Sequence, residues 1–120
     1  MKTPHDPRHR KRQKTVEELF KLDFHDQQVS EYTKNIQQAF PSVDEAIHNA
    51  APEFPIDKIN KIDLAILRLA VYELLIEKKE PEKVIIDEAI EIAKEYGGDT
   101  SPSFINGALG KVISYGTPKV

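Results

Sequence analysis

The 120-residue sequence contains no cysteine and no tryptophan, and it has a single methionine. The absence of cysteine excludes disulfide bonds, thiolate zinc sites and cysteine nucleophiles, and it disfavours a disulfide-stabilised secreted module. No apolar run exceeds four residues and the chain begins with charged residues, so neither a transmembrane helix nor a signal peptide is predicted. We therefore expect one cytoplasmic domain with no membrane association.

The sequence also lacks the short motifs that position catalytic groups. It has no Gly-x-Gly-x-x-Gly or Walker-type loop, so no nucleotide-binding loop is predicted. The five serines mostly fall at or near predicted helix ends, and no histidine is placed in the sequence to suggest a catalytic triad with one of them. We therefore expect a protein that is not an enzyme and that uses no cofactor and no metal.

Charge is distributed unevenly along the chain. Residues 1–14 contain six Lys or Arg and one acid, which gives +5, whereas residues 15–120 contain eleven Lys or Arg and nineteen acids, which gives −8. The net charge of −3 therefore conceals a basic segment attached to an acidic body. This asymmetry favours a segment that contacts nucleic acid, but a solvated tail has the same composition, and charge alone leaves both interpretations open.

The hydrophobic pattern predicts an all-α protein, because apolar residues recur at helical spacing in almost every segment. The helix ends are predicted from capping residues followed by Pro, from a capping box, and from Pro or Gly that stop a helix. In chain order the signals are Asp6–Pro7 (first start), Asp26 or Ser30 (second start), Pro41 (second end), Ser42–Glu45 (third start), Pro81 (fifth start), Gly97–Gly98 (fifth end) and Ser101–Pro102 (last start).

The most hydrophobic element is the predicted fourth helix, where twelve of the fifteen residues 62–76 are apolar. Only Asp63, Arg68 and Glu73 interrupt it, and a helix that is apolar on nearly all sides belongs at the centre of a bundle. We predict a compact helical bundle of five to six helices with a buried central helix, in a single domain spanning residues 1–120. Its predicted parts are an N-terminal arm (1–7), a basic helix with short helices (8–53), a C-terminal helical subdomain (54–114) and a tail (115–120).

Two charged surfaces are candidates for binding. The basic start of the first helix offers Arg and Lys for phosphate contacts, and sequence preference in single-stranded RNA would need aromatic and amide groups as well. Phe20, Phe104 and Asn106 are available for that purpose, although Phe104 also fits a core position. The fifth helix has a predicted outer acidic face, which is either a solvated surface or a site for a basic protein partner. Its residues are Asp87, Glu88, Glu91 and Glu95.

Several motifs, in order, resemble the NusB family of bacterial transcription antitermination factors. Ile62-Asp-Leu-Ala-Ile-Leu-Arg-Leu-Ala-Val-Tyr-Glu-Leu74 resembles the family's central helix, and Val84-Ile-Ile-Asp-Glu-Ala-Ile-Glu-Ile-Ala-Lys94 resembles the helix that follows it. Phe104-Ile-Asn-Gly-Ala-Leu109 resembles the start of its last helix. The basic segment from Arg8 to Phe20 resembles the family's arginine-rich first helix, with Phe20 at a position where the family has tyrosine.

The resemblance implies a non-enzymatic adaptor that binds boxA-type single-stranded RNA of ribosomal RNA operons together with the ribosomal small-subunit protein NusE, within the antitermination complex of RNA polymerase. It leaves open whether the chain forms a homodimer. The candidate RNA-binding residues are Arg8, His9, Arg10, Lys11, Arg12, Phe20, Thr100, Ser101, Phe104 and Asn106. The resemblance suggests Asp63 as a partner-binding residue and leaves Glu73 open between partner binding and a structural role, and the acidic face adds Glu88 and Glu91.

The sequence departs from the family pattern at several positions. His9 replaces a common arginine and Lys11 a common alanine. Thr100 and Pro102–Ser103 stand in a segment of the Asp-Ser-His/Tyr-Lys type, so a basic side chain is absent there. The stretch 25–53 is shorter than the corresponding region of the family.

Two alternatives to the adaptor stay open. One is a helical protein-interaction module in which the basic segment is only a tail. The other is a NusB-like RNA-binding domain related to those of ribosomal RNA cytosine methyltransferases, without catalysis.

Overall fold

The structure is a computed structural model that describes residues 6–116, and these residues form helices and turns without β-strands. The six α-helices are α1 (Pro7–Leu22), α2 (Glu31–Gln38), α3 (Phe40–Ala50), α4 (Lys61–Tyr72), α5 (Glu82–Tyr96) and α6 (Ser101–Lys111). A 3-10 turn (Ile56–Lys58) precedes α4, and π-helical turns follow α4 (Glu73–Glu77) and α6 (Val112–Gly116). The predicted all-α bundle of five to six helices is confirmed. The first five residues of the predicted arm and the last four of the predicted tail lie outside the described residues.

Helix starts follow the local chemistry of the sequence. Asp6 caps α1 by accepting the Arg8 N–H at 2.9 Å, and Pro7 occupies the first turn. The side chain of Ser30 accepts the Thr33 N–H at 3.3 Å, so α2 begins after Ser30 rather than after Asp26. The two caps fix where α1 and α2 begin, and so which of their residues face the core.

Two predicted helix starts are displaced in the structure. Pro41 does not end the second helix: α2 already ends at Gln38, and Pro41 lies in the first turn of α3, where its missing N–H costs nothing. Ser42 therefore does not cap α3. Ser101 is likewise the first residue of α6 instead of its cap, and its Oγ accepts the Gly98 N–H at 3.0 Å.

Helix α4 is the centre of the bundle, as predicted. All residues from Asp63 to Val71 are buried, and α4 packs against α1, α3, α5 and α6. Burial on every side explains why this segment shows so little amphipathic alternation in sequence. Among the described residues, no helix combines the length and the apolar character needed to cross a bilayer.

The π-helical segment after α4 places two acids, Glu73 and Glu77, in contact with residues from the N-terminal half of the chain. It ends at Lys78, whose φ of 55° and ψ of 39° are left-handed, and the Lys78 N–H donates to the Glu73 carbonyl at 2.9 Å. Within this turn Glu73 is buried, and Glu77 accepts a hydrogen bond from the Tyr32 hydroxyl at 3.0 Å. Turns of this type often occur at functional sites, and here the turn brings Glu73 beneath α1.

Candidate nucleic-acid interface

The first two turns of α1 carry a basic surface. A helix advances about 100° per residue, so Arg10, Lys11 and Lys14 lie on the side opposite the buried Val16. All three are exposed, and so is Arg8 at the start of the helix. The first turn contains no acid, so these cations oppose the helix dipole. The N-cap Asp6 offsets part of this cost, because its Oδ1 lies 3.7 Å from Nε of Arg8.

The other two basic residues predicted to bind RNA, His9 and Arg12, point inward. They are 5% and 7% exposed, respectively. The Nδ1 atom of His9 lies 2.8 Å from Oε1 of Glu88, and its Nε2 atom lies 3.0 Å from Oε2 of Glu95. His9 therefore connects the start of α1 to two positions on α5.

Arg12 is held by a buried carboxylate in two-point geometry. Its Nε donates to Oε2 of Glu73 at 2.9 Å and its Nη2 to Oε1 of Glu73 at 2.7 Å. Nη2 also donates to Glu80, and Nη1 lies 3.6 Å from Oε1 of Glu88. Although burial opposes its charge, the bonds and charges of Glu73 and Glu80 raise the pKa of Arg12, so it stays cationic. We call the group His9, Arg12, Glu73, Glu80, Glu88 and Glu95 the anchor network.

The anchor network changes the interpretation of two predicted partner-binding acids. Glu73 is 5% exposed and Glu88 is 8% exposed, and both contact α1 instead of facing solvent. The prediction that Glu88 lies on an outer acidic face of α5 is therefore wrong, because α1 covers Glu88, whereas Glu95 contacts His9 and stays exposed. Burial also raises the pKa of Glu73, and the hydrogen bonds from Arg12 counteract that rise. Glu91, on the same helix, is half-buried, and a partner-binding role for any of these acids stays a prediction.

Asp63 lies in a different environment, in a groove of about 430 Å³ that we call the acidic-aromatic groove. Asp63 is only 7% exposed, and its Oδ1 has no hydrogen-bond partner among the described residues. Phe54 and Phe104 meet edge to face beside it, with ring centroids 5.2 Å apart. The groove is lined by Phe54, Lys58, Ile59, Asn60, Asp63, Thr100, Ser103 and Phe104. A buried carboxylate oxygen without a partner is costly, so the structure leaves a hydrogen-bonding requirement of Asp63 unmet.

A second groove adjoins the first at Asn60 and exposes aromatic rings. It is lined by Glu17, Phe20, Lys21, Asn60, Ile62 and Tyr96. Phe20 packs edge to face on the exposed Phe24, with centroids 5.0 Å apart. The Tyr96 hydroxyl donates to Oε2 of Glu17 at 2.6 Å and closes one side.

The structure brings together only some of the predicted site residues. Thr100 and Phe104 line the groove that holds Asp63, and Phe20 lines the adjoining one. Ser101 is buried and bonded to the backbone of Gly98, while Asn106 is exposed on α6 and lines neither groove. Phe104 is half-buried: it packs on the edge of the core and still contributes to a groove.

Sequence reasoning missed Glu80 and Glu95 as functional neighbours of the basic helix. They are 68 and 86 residues away from their partners Arg12 and His9, and nothing in one sequence links such distant positions. A signal for the inward direction of Arg12 was present, however. His9, Arg12, Val16 and Leu19 share the spacing of a core-facing stripe.

Comparisons with known proteins agree with this fold. The profile of the NusB family matches residues 5–114. The transcription antitermination protein NusB of Pseudothermotoga lettingae is 42% identical over 91 residues, which cover 76% of this chain and 65% of that protein. The protein of the same name from Roseiflexus castenholzii is 50% identical over 74 residues, which cover 60% of this chain and 52% of that protein. The chain thus spans between half and two thirds of the length of these curated relatives.

A solved structure extends the similarity to nearly the whole chain. T. maritima NusB superposes with a TM-score of 0.77 at 32% sequence identity, covering 95% of this chain and 93% of that one. The shared helices include α1, which carries the basic surface, and the profile match runs from before α1 to the end of α6. The chain belongs to the NusB family.

Proposed function

We propose that this chain is a non-catalytic adaptor in transcription antitermination, which binds boxA-type single-stranded RNA of ribosomal RNA operons together with NusE in the antitermination complex of RNA polymerase. The observation that carries the proposal is the basic surface of α1. Arg8, Arg10, Lys11 and Lys14 are exposed, although Arg8 lies near Glu80 and Lys11 near the Tyr32 ring, while His9 and Arg12 hold the same helix turns on the buried side. A solvated tail would not require such anchoring.

The anchoring favours RNA binding over the tail interpretation for an entropic reason. Ordering flexible side chains and backbone on binding costs free energy. Because α1 is already fixed against α4 and α5, its cations meet the phosphates with the backbone ordered in advance. Phosphate contacts of this kind give affinity without sequence selectivity. We therefore assign sequence preference to the aromatic side chains of the second groove, Phe20 and Tyr96.

The partner site is the acidic-aromatic groove. The carboxylate of Asp63 and the rings of Phe54 and Phe104 line this groove and suit a Lys or Arg of a basic protein, which would gain both an ion pair and contact with an aromatic ring. NusE, a ribosomal protein, is the partner that family membership suggests.

A salt titration tests the RNA-binding surface. We expect Arg10→Ala combined with Lys14→Ala to reduce the slope of log affinity against log salt by about 1.4, because each phosphate contact on a single strand contributes about 0.7. The probe is a boxA-type single-stranded RNA. Lys34→Ala combined with Lys83→Ala removes the same charge from α2 and α5 and should leave the slope unchanged. Equal slopes for both double variants would contradict an RNA site on α1.

A second titration tests the partner groove. Asp63→Asn keeps the shape of the side chain and removes its charge, so affinity for NusE should fall at least about tenfold, which corresponds to about 1.4 kcal/mol. Asp57→Asn is the matched control, since Asp57 is exposed on the neighbouring 3-10 turn. Parallel losses in both variants, or none in either, would place the partner elsewhere.

A further inference from the structure

His9 makes two contacts that a neutral imidazole cannot satisfy together. One ring nitrogen faces Glu88 at 2.8 Å and the other faces Glu95 at 3.0 Å, and an ionised carboxylate only accepts hydrogen bonds. A neutral imidazole has one N–H, whereas the imidazolium has two. The arrangement therefore fits a doubly protonated ring between two carboxylates, with the His9 side chain 6% exposed.

We propose that His9 is the positioning residue of the basic helix, and that its proton makes RNA binding by this chain sensitive to pH near neutrality. This inference rests on the proposed RNA-binding function of α1. When the proton is present, α1 is tied to α5 at two points. When it leaves, one carboxylate faces a lone pair, and two acids beneath the basic surface lose a compensating charge. Both changes weaken the attraction for phosphate.

The charged groups around His9 come from each element packed at this site. Helix α5 supplies Glu88 and Glu95, and Glu95 also accepts from the Gln13 side chain at 3.1 Å. On α1 itself, the guanidinium of Arg12 lies 3.6 Å from Glu88 and donates hydrogen bonds to Glu73 of the π-helical turn. The cleft of about 190 Å³ beside the ring is lined by Asp6, Arg8, His9, Arg12, Glu80, Val84 and Glu88.

The direction of the pH effect follows from these neighbours. Burial lowers the pKa of His9, but the hydrogen bonds and charges of Glu88 and Glu95 outweigh burial and raise it above the ordinary value. A raised pKa in the folded state means that the stabilisation is complete below the ordinary value of about 6.5 and is lost as pH rises through the folded value. Anchoring, and with it RNA affinity, should therefore decline on the alkaline side.

The effect is specific to a histidine at this position. Arginine keeps its charge throughout the physiological range. The variant His9→Arg should thus retain the anchor and lose the pH dependence. His9→Gln should lose the charge at every pH. Because His25 is exposed and lies after the end of α1, His25→Arg is the matched control for an added arginine.

Two measurements on the full chain test the proposal. The first, without RNA, uses long-range ¹H–¹⁵N NMR spectra of the histidine rings, with His9 assigned by its absence in His9→Gln. We expect both ring nitrogens of His9 to be protonated at pH 7. Amide hydrogen exchange in the first turns of α1, corrected for the intrinsic pH dependence, should accelerate between pH 6.5 and 9 in the original chain and in His25→Arg, but not in His9→Arg.

The second measurement is binding of a boxA-type single-stranded RNA over the same pH range at constant salt. Affinity of the original chain should fall about fivefold, as expected for loss of one charge-assisted contact, and that of His9→Arg less than twofold. A singly protonated His9 at pH 7, or equal pH dependence in His9→Arg and the original chain, would overturn the proposal. If no form binds RNA at any pH, the proposed function fails, while the ring protonation and α1 exchange still decide the role of His9.

Discussion

Two buried arginines in this bundle have nearly the same geometry and different surroundings. Arg12 and Arg68 are each 7% exposed, and a carboxylate grips each guanidinium at two points. Arg68 donates from Nε to Oδ1 of Asp44 at 2.9 Å and from Nη2 to Oδ2 at 2.8 Å. The corresponding contacts of Arg12 to Glu73 are 2.9 and 2.7 Å.

Arg68 contacts two carboxylates and one aromatic ring. Its Nη1 donates to Asp23 at the end of α1, and its guanidinium lies 3.9 Å from the centroid of the Phe40 ring. These contacts join α4 to α3 and to the C-terminal end of α1. Arg12, by contrast, also contacts Glu80 and is connected through Glu88 to the titratable His9, beneath an exposed basic surface. Equal burial and equal pair geometry therefore do not imply equal roles.

The largest expected effect is the loss of Arg68. Arg68→Ala leaves the carboxylates of Asp44 and Asp23 without their cation, so the free energy of unfolding should fall by about 3–5 kcal/mol. Urea unfolding monitored by circular dichroism measures this change. Arg10→Ala is the control, because Arg10 is exposed and its loss should change stability by no more than about 0.5 kcal/mol. A comparable loss in both variants would show that the Arg68 pairs are not the source of stability.

Arg12→Ala should lower the free energy of unfolding by about 3 kcal/mol at pH 8 and by less at pH 5. Burial raises the pKa of Glu73 while Arg12 lowers it, so removal of Arg12 lets Glu73 hold a proton at higher pH. A carboxyl group with a raised pKa in the folded state favours folding when protonated and disfavours it as pH rises through that value. Urea unfolding of the variant and the original chain at both pH values gives the difference. A cost that is constant with pH would mean that Glu73 does not take up the proton.

The two arginines also show which features of the structure could be predicted from the sequence and which could not. The core was predictable because helical spacing and capping residues act locally, as Asp6, Ser30 and the apolar run of α4 illustrate. The misplaced start of α3 arose from taking Pro41 as a stop, although Pro is equally acceptable in a first turn.

The site was less predictable than the core for a different reason. The spacing of Arg12 with Val16 and Leu19 indicates that Arg12 points inward, but it does not identify the residue that Arg12 contacts there. The pairs Arg12–Glu73 and His9–Glu95 join positions 61 and 86 residues apart. The polar interruption of α4 at Arg68 required a buried partner on physical grounds, yet nothing local pointed to Asp44.

The smallest expected effect concerns the outer end of the anchor network. The side chain of Glu95 is 34% exposed, so solvent screens its attraction for His9 more than it screens the attraction of Glu88. Glu95→Gln retains an oxygen that can accept the His9 N–H, and the free energy of unfolding at pH 6.5 should fall by about 0.5 kcal/mol only.

RNA affinity should move in the opposite direction in this variant. Removing a negative charge beneath the basic surface reduces repulsion of phosphate, so affinity for a boxA-type RNA at low salt should rise about twofold, and the gain should vanish at about 1 M salt, where charges are screened beyond about 3 Å. Glu91→Gln on the same helix is the control for the loss of an acid that has no observed contact with His9. If stability and RNA affinity of Glu95→Gln fell together, Glu95 would act on RNA only through anchoring. Opposite changes would separate the effect of Glu95 on anchoring from the effect of its charge on RNA. The Arg68 cluster offers no such test, because the contacts of Arg68 are with Asp44, Asp23 and Phe40 and not with the basic surface.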